Sequence, residues 1–387
     1  MKEMAAHGVQ FLLDKMWDAE HGGFYWMVNR AGEPTNRQKI GYGHSFAIYS
    51  LSEYTLATGD PVGLEYAEKV FDLLQKYAVD THYGGYLKDK YQGQRVFKII
   101  ADGGFTCPNR DGSKGFGGCT YCNVDSFTPE LSRSLPTIKE QIERGMERAI
   151  KNYQAEKFII YFQPNTNTYA PTHYLKSMYD EGLSINTENI VGLSVGTRPD
   201  CIDAEKVALL ESYTARFDVD LEMGMESIYN DTLAQINRGC MHEDLEQSLD
   251  LVNGSKLDVC LHTIFGFPWE TKEMMLAYAH ELNRFPQVKF AKLHHLHIVE
   301  GSVMGVKYKR VPFKLFSLEE YTEFLAEFIP LLRPDIVLQR LFGLSDYDLL
   351  IAPNWGLKKT EIQDYIDKGL QSRGVMQGSK YQPGLLI

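Results

Sequence analysis

The 387 residues are 44% hydrophobic and 24% charged, with a formal net charge of −11, the balance of a globular chain long enough for a sizeable core and more than one domain. No apolar run approaches the ~20 residues of a bilayer span, Met1–Gly8 has neither part of a secretory signal, and six cysteines in so long a chain do not make a disulfide framework. A reducing cytoplasm and no membrane are expected, and the acidic balance argues mildly against a large nucleic-acid footprint, although Lys307–Lys314 and Lys358–Lys359 are locally basic.

Residues 1–91 read as helices at Met4–Met16, Gly41–Thr58 and Pro61–Tyr77, the last opening after Gly59-Asp60 with proline in its first turn. A Gly-Gly-aromatic turn at Gly22 recurs at Gly84, which predicts a repeated helical hairpin. Lys88–Gln94 is polar and linker-like, so two domains are expected, 1–91 and 92–387. Beyond it, strand-like runs at Arg95–Ala101, Lys157–Phe162, Ile190–Val195, Phe217–Met223, Leu257–Phe265 and Lys289–His297 alternate with helices. The helices are Thr137–Tyr153, Thr172–Glu181, Asp203–Tyr213, Asn230–Gln235 with Glu243–Val252, and Thr271–Arg284; Ser317–Leu332 and an apolar run, Ile336–Phe342, follow. Six β-then-α units predict an α/β fold with a parallel sheet and right-handed crossovers. Barrels of this kind carry their chemistry at the carboxyl ends of the strands.

The loop after the first of these strands holds Cys107, Cys119 and Cys122, spaced C-x11-C-x2-C among glycines. A C-x2-C pair can put two thiolates on one metal centre, and glycines let the backbone wrap closely around it. A structural zinc ion wants four ligands, whereas a cubane iron–sulfur cluster on three thiolates leaves one iron open to a small molecule. Zinc completed by a histidine from elsewhere is the rival.

From about Gly93 onward the chain resembles the radical SAM enzymes, and among them the YhcC-like family related to the radical SAM domain of the Elongator catalytic subunit. The likeness rests on Asp102–Gly112, Gly117–Asn123, Tyr161–Gln163, Thr166–Thr168, Gly196–Cys201, Ile236–Gly239, Leu293-His294 and Leu296–Ile298, in the family's order. It implies a (β/α)6 partial TIM barrel and a [4Fe–4S] cluster on Cys107, Cys119 and Cys122. It also implies that the open iron chelates S-adenosylmethionine, whose reductive cleavage gives a 5′-deoxyadenosyl radical that abstracts hydrogen. A flavodoxin or ferredoxin would supply the electron. The Elongator relationship suggests a tRNA wobble-uridine side chain as substrate; a small-molecule substrate and a non-catalytic zinc scaffold are the alternatives.

Residues 1–91 resemble the N-acylglucosamine 2-epimerase and cellobiose 2-epimerase family, an (α/α)6 barrel, on Tyr42–Tyr54 and Ala57–Asp60. Only a fraction of such a barrel is present, as an all-α fragment without the later helices that supply that family's proton-transfer histidines, so no epimerase activity is expected. Repeats bury each hairpin against the next, so a fragment should leave apolar helix faces uncovered, marginally ordered or docked on the second domain. His44 is either a relic of a sugar site or a packing residue.

At the strand ends, the resemblance places Tyr121 near the adenine and Gln163, with Asn165 or Thr166, at the methionine amino group. Thr197 and Arg198 are candidate cofactor or substrate contacts, since an arginine fork suits carboxylate or phosphate; a structural salt bridge from Arg198 to Asp200 or another barrel acid is the alternative. Alternation puts Asp220, Glu222 and Gly224 on one face of their strand, and two interior acids need a partner such as ribose hydroxyls or Arg238. Glu226 stands where many relatives have glutamine. His262 is expected to face the interior, Trp269 to cover the adenine pocket, and Glu270 to begin the next helix. Lys292 and His294 share a face as a candidate catalytic, substrate-side pair, with His295 and His297 turned away. Cys201, Cys240 and Cys260 follow no metal spacing and read as buried or incidental.

Overall fold

The computed structural model describes residues 2–19, 22–36, 41–77, 83–126, 128, 137–343 and 345–383. At the start of the chain, α1 (Lys2–Phe11) precedes a small ribbon of β1 (Met27–Val28) and β2 (Pro34–Asn36), then α2 (Gly41–Thr58) and α3 (Val62–Tyr77). They share a modest core of Val9, Phe24, Leu51, Tyr54, Ala67 and Val70. Their outer faces leave Phe46, Tyr49, Leu56, Leu64 and Phe71 exposed, as expected for repeat helices without their neighbours. His44 is buried, and its Nε2 accepts the Phe24 backbone N–H at 3.0 Å, which makes it a packing residue.

The repeated turn is not there. Gly22 and Gly23 turn left-handed, with φ of 72° and 80°, whereas Gly84 and Gly85 lie inside α4 (Tyr83–Lys90), which also takes up the first part of the expected linker. Tyr83, Tyr86, Leu87 and Lys90 fall at i, i+3, i+4 and i+7, one face of a helix. That face closes the base of the barrel described next: Tyr83 and Tyr86 set their rings edge-on to Phe290, at 5.7 and 5.4 Å. Lys90 pairs with Asp218 at 2.9 Å, and the Tyr91 hydroxyl donates to the same carboxylate. Burying two aromatic rings outweighs the low helix propensity of the two glycines.

The barrel runs β3 (Val96–Ala101), α5 (Ile138–Tyr153), β4 (Lys157–Phe162), α6 (Thr172–Ser184), β5 (Ile190–Thr197), α7 (Ala204–Tyr213), β6 (Asp218–Glu226), α8 (Asn230–Gln235), α9 (His242–Val252), β7 (Asp258–Phe265), α10 (Lys272–Leu276), α11 (Tyr278–Arg284) and β8 (Val288–His295). Side-chain caps at Thr137, Asp203 and Thr271 fix where α5, α7 and α10 start. After β8 come β9 (Ile298–Val299), α12 (Val303–Arg310), α13 (Leu318–Phe328), β10 (Val337–Arg340), β11 (Leu350–Ala352) and α14 (Lys359–Ser372). The sheet has seven strands, all parallel, in the order β3-β4-β5-β6-β7-β8-β10, curled into a half-barrel.

The seventh strand, one more than expected, is the apolar run after α13. It pairs Val337 with Phe290 and Leu338 with Ala291, covering the edge β8 would otherwise expose. Helix α14, not expected either, buries only Ile362, Ile366 and Leu370 on a polar background. Leu221, Leu261, Phe265 and Phe328 belong to the continuous core of the barrel. Among the described residues no helix is long and apolar enough to cross a membrane.

Candidate active site

The cysteine loop leaves β3 and crosses the carboxyl ends of the strands. It is anchored on the far side: the Thr120 N–H donates to Ile236 O (2.8 Å), the Met304 N–H to Thr120 O (2.7 Å) and Asn123 Nδ2 to Glu300 O (2.7 Å). Buried Asn109 joins it to Ile236–Gly239, donating through Nδ2 to Asn237 O at 2.5 Å and more loosely to the Cys119 sulfur at 3.9 Å. Asn237 answers by donating to Gly118 O at 2.9 Å. Glycine is needed at 239: its φ is +66°, and a Cβ there would lie 2.6 Å from Asn109 Oδ1. Two motifs more than a hundred residues apart therefore form one clamp.

Beneath the loop lies a cavity of about 410 Å³, within the range of ligand pockets. Twelve of the residues singled out from the sequence line it: Cys107, Cys119, Cys122, Tyr121, Gln163, Thr197, Arg198, Glu222, Arg238, His262, Lys292 and His294. Arg238 Nη1 points at the Cys119 sulfur (3.8 Å), and Nη2 donates to Gly224 O (2.8 Å) and faces Glu226 (3.4 Å). Burial first, then the neighbouring Cys119 thiol, push the Cys122 thiol up to about 12. A thiolate there at neutral pH needs a strong local positive charge, such as a metal supplies.

The barrel interior below is ionic. Lys98 on β3 donates to Ser194 (3.0 Å), Asp220 (3.0 Å), Glu222 (2.7 Å) and Gln339 (3.3 Å). The other oxygen of Glu222 takes the Tyr161 hydroxyl (2.6 Å), lies 2.9 Å from His262 Nε2 and pairs with Lys292. Burial opposes both charges, yet Asp220 and Glu222 hold the Lys98 ammonium well above the usual lysine range. Burial likewise opposes the Glu222 carboxylate, which Lys292 and Lys98 hold well below its usual range. Burial pulls His262 and His294 down, so both are neutral imidazoles near pH 7.

A profile of the radical SAM superfamily matches residues 107–282, and one of the radical SAM C-terminal domain matches 288–372. Protein YhcC of Escherichia coli K12 is 36% identical over 306 residues, which cover 78% of this chain and 96% of YhcC. The chain belongs to the radical SAM superfamily. Elp3 of the archaeon Methanocaldococcus infernus shares the fold of this radical SAM enzyme, with a TM-score of 0.53 and 18% identity over 73% of this chain and 64% of that one. The N-acylglucosamine 2-epimerase profile matches residues 1–97. Cellobiose 2-epimerase of Bacteroides fragilis is 44% identical over 85 residues, 22% of either chain, so the radical SAM enzyme spans about a fifth of that epimerase.

Several details differ from expectation. The interior acids are partnered by Lys98 and Lys292, not by Arg238, which is engaged at the cysteine loop. The Arg198 fork is closed on Asp200, at 2.9 and 3.0 Å, and its remaining arm donates to Arg238 O at 2.8 Å; the salt-bridge alternative describes it. Trp269 does not line the cavity: its Nε1 donates to Thr232 (2.9 Å) and its ring stacks on Phe267, 5.8 Å away, which itself lies 6.3 Å from Tyr121. Glu270 precedes the Thr271 cap of α10 and is held by the hydroxyls of Ser227 and Tyr278, both at 2.6 Å. His295 stacks on Trp355 (4.1 Å) and its Nε2 lies 2.8 Å from that of His297; both rings, expected to turn away, line the cavity, and His297 lies past the end of β8, where alternation no longer applies. Lys98 carried a signal that went unused: a lone lysine in an apolar strand must find an acid.

Proposed function

We propose that this radical SAM enzyme holds a [4Fe–4S] cluster on Cys107, Cys119 and Cys122 and S-adenosylmethionine in the cavity below them, and abstracts hydrogen from a substrate bound across the same cavity. The supporting observation is the convergence of three cysteines and the strand-end residues on one space.

When bound, the cluster would deliver one electron to the sulfonium, releasing methionine and a 5′-deoxyadenosyl radical. The chain's own groups prepare the site. Asn109 and Arg238 direct N–H donors at the Cys119 sulfur, at 3.9 and 3.8 Å. Gln163 and Thr166 line the cavity, and the buried Thr166 hydroxyl has no partner among the described residues, which suits them to a ligand's amino group. Tyr121 with Phe267 keeps water from that wall. Lys292, His262 and Glu222 form a proton-holding cluster on the substrate side.

The substrate reading we favour is a tRNA wobble-uridine side chain, with a small molecule as the alternative that the net charge of −11 keeps in view. A flavodoxin- or ferredoxin-type donor fits the one-electron need, and a cytoplasmic location fits the reduced cysteines. Residues 1–77 would form an arm without epimerase activity, and the radical SAM unit would begin at Tyr83 rather than at 92. Anaerobically reconstituted protein should bind about four irons per chain and, with dithionite and S-adenosylmethionine, release 5′-deoxyadenosine; Cys119→Ala should do neither. Zinc in place of iron would refute the reading. An unchanged nucleoside profile in tRNA from a deletion strain would remove the tRNA substrate.

A further inference from the structure

The cations on the cavity wall are unequal. Arg198 is closed on Asp200, Arg238 faces Glu226 and Lys292 pairs with Glu222. Among the described residues, two lining cations have no acid: Arg110, in the cysteine loop, and Arg340, at the carboxyl end of β10. A register shift between Leu338 and Arg340 re-aims the strand end, as bulges do. Gln339 reaches inward to Lys98 at 3.3 Å and Arg340 still lines the cavity.

Two orphaned polar atoms line the same cavity. His294 Nε2 and Ser345 Oγ are buried and have no hydrogen-bond partner among the described residues. Unmade hydrogen bonds in a buried site are costly and persist where a ligand completes them. Arg340 stands opposite Lys292 in the sheet, two residues before His294, and lines the cavity with His294 and His297; its charge, after burial, opposes protonation of both rings. Asp346, the acid next to Ser345, is exposed and accepts the Asp348 N–H at 3.0 Å.

We infer that Arg340, His294 and Ser345 form a subsite for an anionic group of the substrate, a carboxylate or a phosphate, on the side of the cavity built by β8 and β10. A free guanidinium fork accepts either anion in bidentate fashion, with the imidazole N–H and the hydroxyl completing the oxygens' partners. The inference names the substrate class of the site proposed above and rests on that reading.

Its test does not need turnover. The full, anaerobically reconstituted chain is treated with phenylglyoxal, and modification of the Arg340 peptide is followed by mass spectrometry in chloride, acetate or inorganic phosphate at equal ionic strength. Slowing by several-fold in acetate indicates a carboxylate subsite, and slowing in phosphate alone a phosphate subsite. In His294→Ala and Ser345→Ala the protection should weaken by several-fold. A rate equal in all three salts overturns the inference, as does full protection in both variants, which would mean a lone arginine and no built subsite. Loss of 5′-deoxyadenosine formation with protection intact would instead defeat the radical reading of the cavity.

Discussion

Replacing Lys98 by methionine tests the ionic interior most directly. The side chain matches in length, so the change removes a charge and little volume. Lys98 is 15% exposed, with Asp220 at 7% and Glu222 at 0%, so water cannot take its place. Glu222 keeps Lys292, Tyr161 and His262, but Asp220 is left with the Ser194 hydroxyl at 2.5 Å. Breaking a buried pair in this way costs about 3–5 kcal/mol, a fall in melting temperature on the order of 10 °C. The folded pKa of Lys98 is raised, so its contribution is present below the ordinary lysine value and lost only as pH rises through the raised one. That of Glu222 is depressed, so its contribution is present above the ordinary carboxylate value and lost only as pH falls through the lowered one. Lys98 and Glu222 therefore both stay charged between the ordinary carboxylate and lysine values. In the variant Asp220, whose pKa burial already raises, can escape by protonating, so the gap to wild type should narrow as pH falls from 8 to 5. Thermal unfolding followed by circular dichroism at each pH reads both effects. A loss below about 1 kcal/mol, the range of exposed pairs, or a gap independent of pH, would refute the reasoning.

Gly239→Ala should displace Asn109 and cost roughly 1–3 kcal/mol of loop strain; the readout is iron bound per chain after reconstitution, and undiminished iron counts against the clamp. Burial, reinforced by Arg340, holds His297 down to about 4, whereas the unfolded chain protonates near 6.5. Stability should therefore fall as pH drops through that window, by about 3 kcal/mol from this group. His297→Gln should recover that loss relative to wild type in urea unfolding at pH 4.5 against pH 7, and an equal gap at the two pH values would sink the assignment. Deleting residues 1–82 should leave barrel stability close to that of the full chain, whereas deleting 1–91 uncovers Phe290 and Val337. The second truncation should cost a further amount on the order of 5 kcal/mol, from burial of the Tyr83 and Tyr86 rings; equal melting temperatures would mean that α4 does not matter to the barrel.

Local periodicity carried most of the barrel. Strand alternation set Asp220, Glu222 and Gly224 on one face of β6, and the order of short motifs gathered twelve residues that line one cavity. What local pattern could not supply was the partner of each charge. Lys98 lies 122 residues from Asp220 in sequence, and only the order of strands in the sheet brings them together. Tyr83 and Tyr86 read as a turn because two glycines separate them; their partner, Phe290, is equally remote. The Ile336–Phe342 run lacked a following helical unit to announce it as a strand, so Gln339 and Arg340 went unassigned.

The rule that a buried charge must be matched narrows this gap when applied to the whole interior at once. On the strands from β3 to β10, Lys98 and Lys292 are answered by Asp220 and Glu222. Arg340 is not answered by either. It is exposed at the end of β10, but it also lines a cavity in which, among the described residues, His294 Nε2 and Ser345 Oγ are unmatched. A fold that pairs Lys98 and Lys292 so closely and leaves this corner of the cavity open offers it to a group that arrives with the substrate.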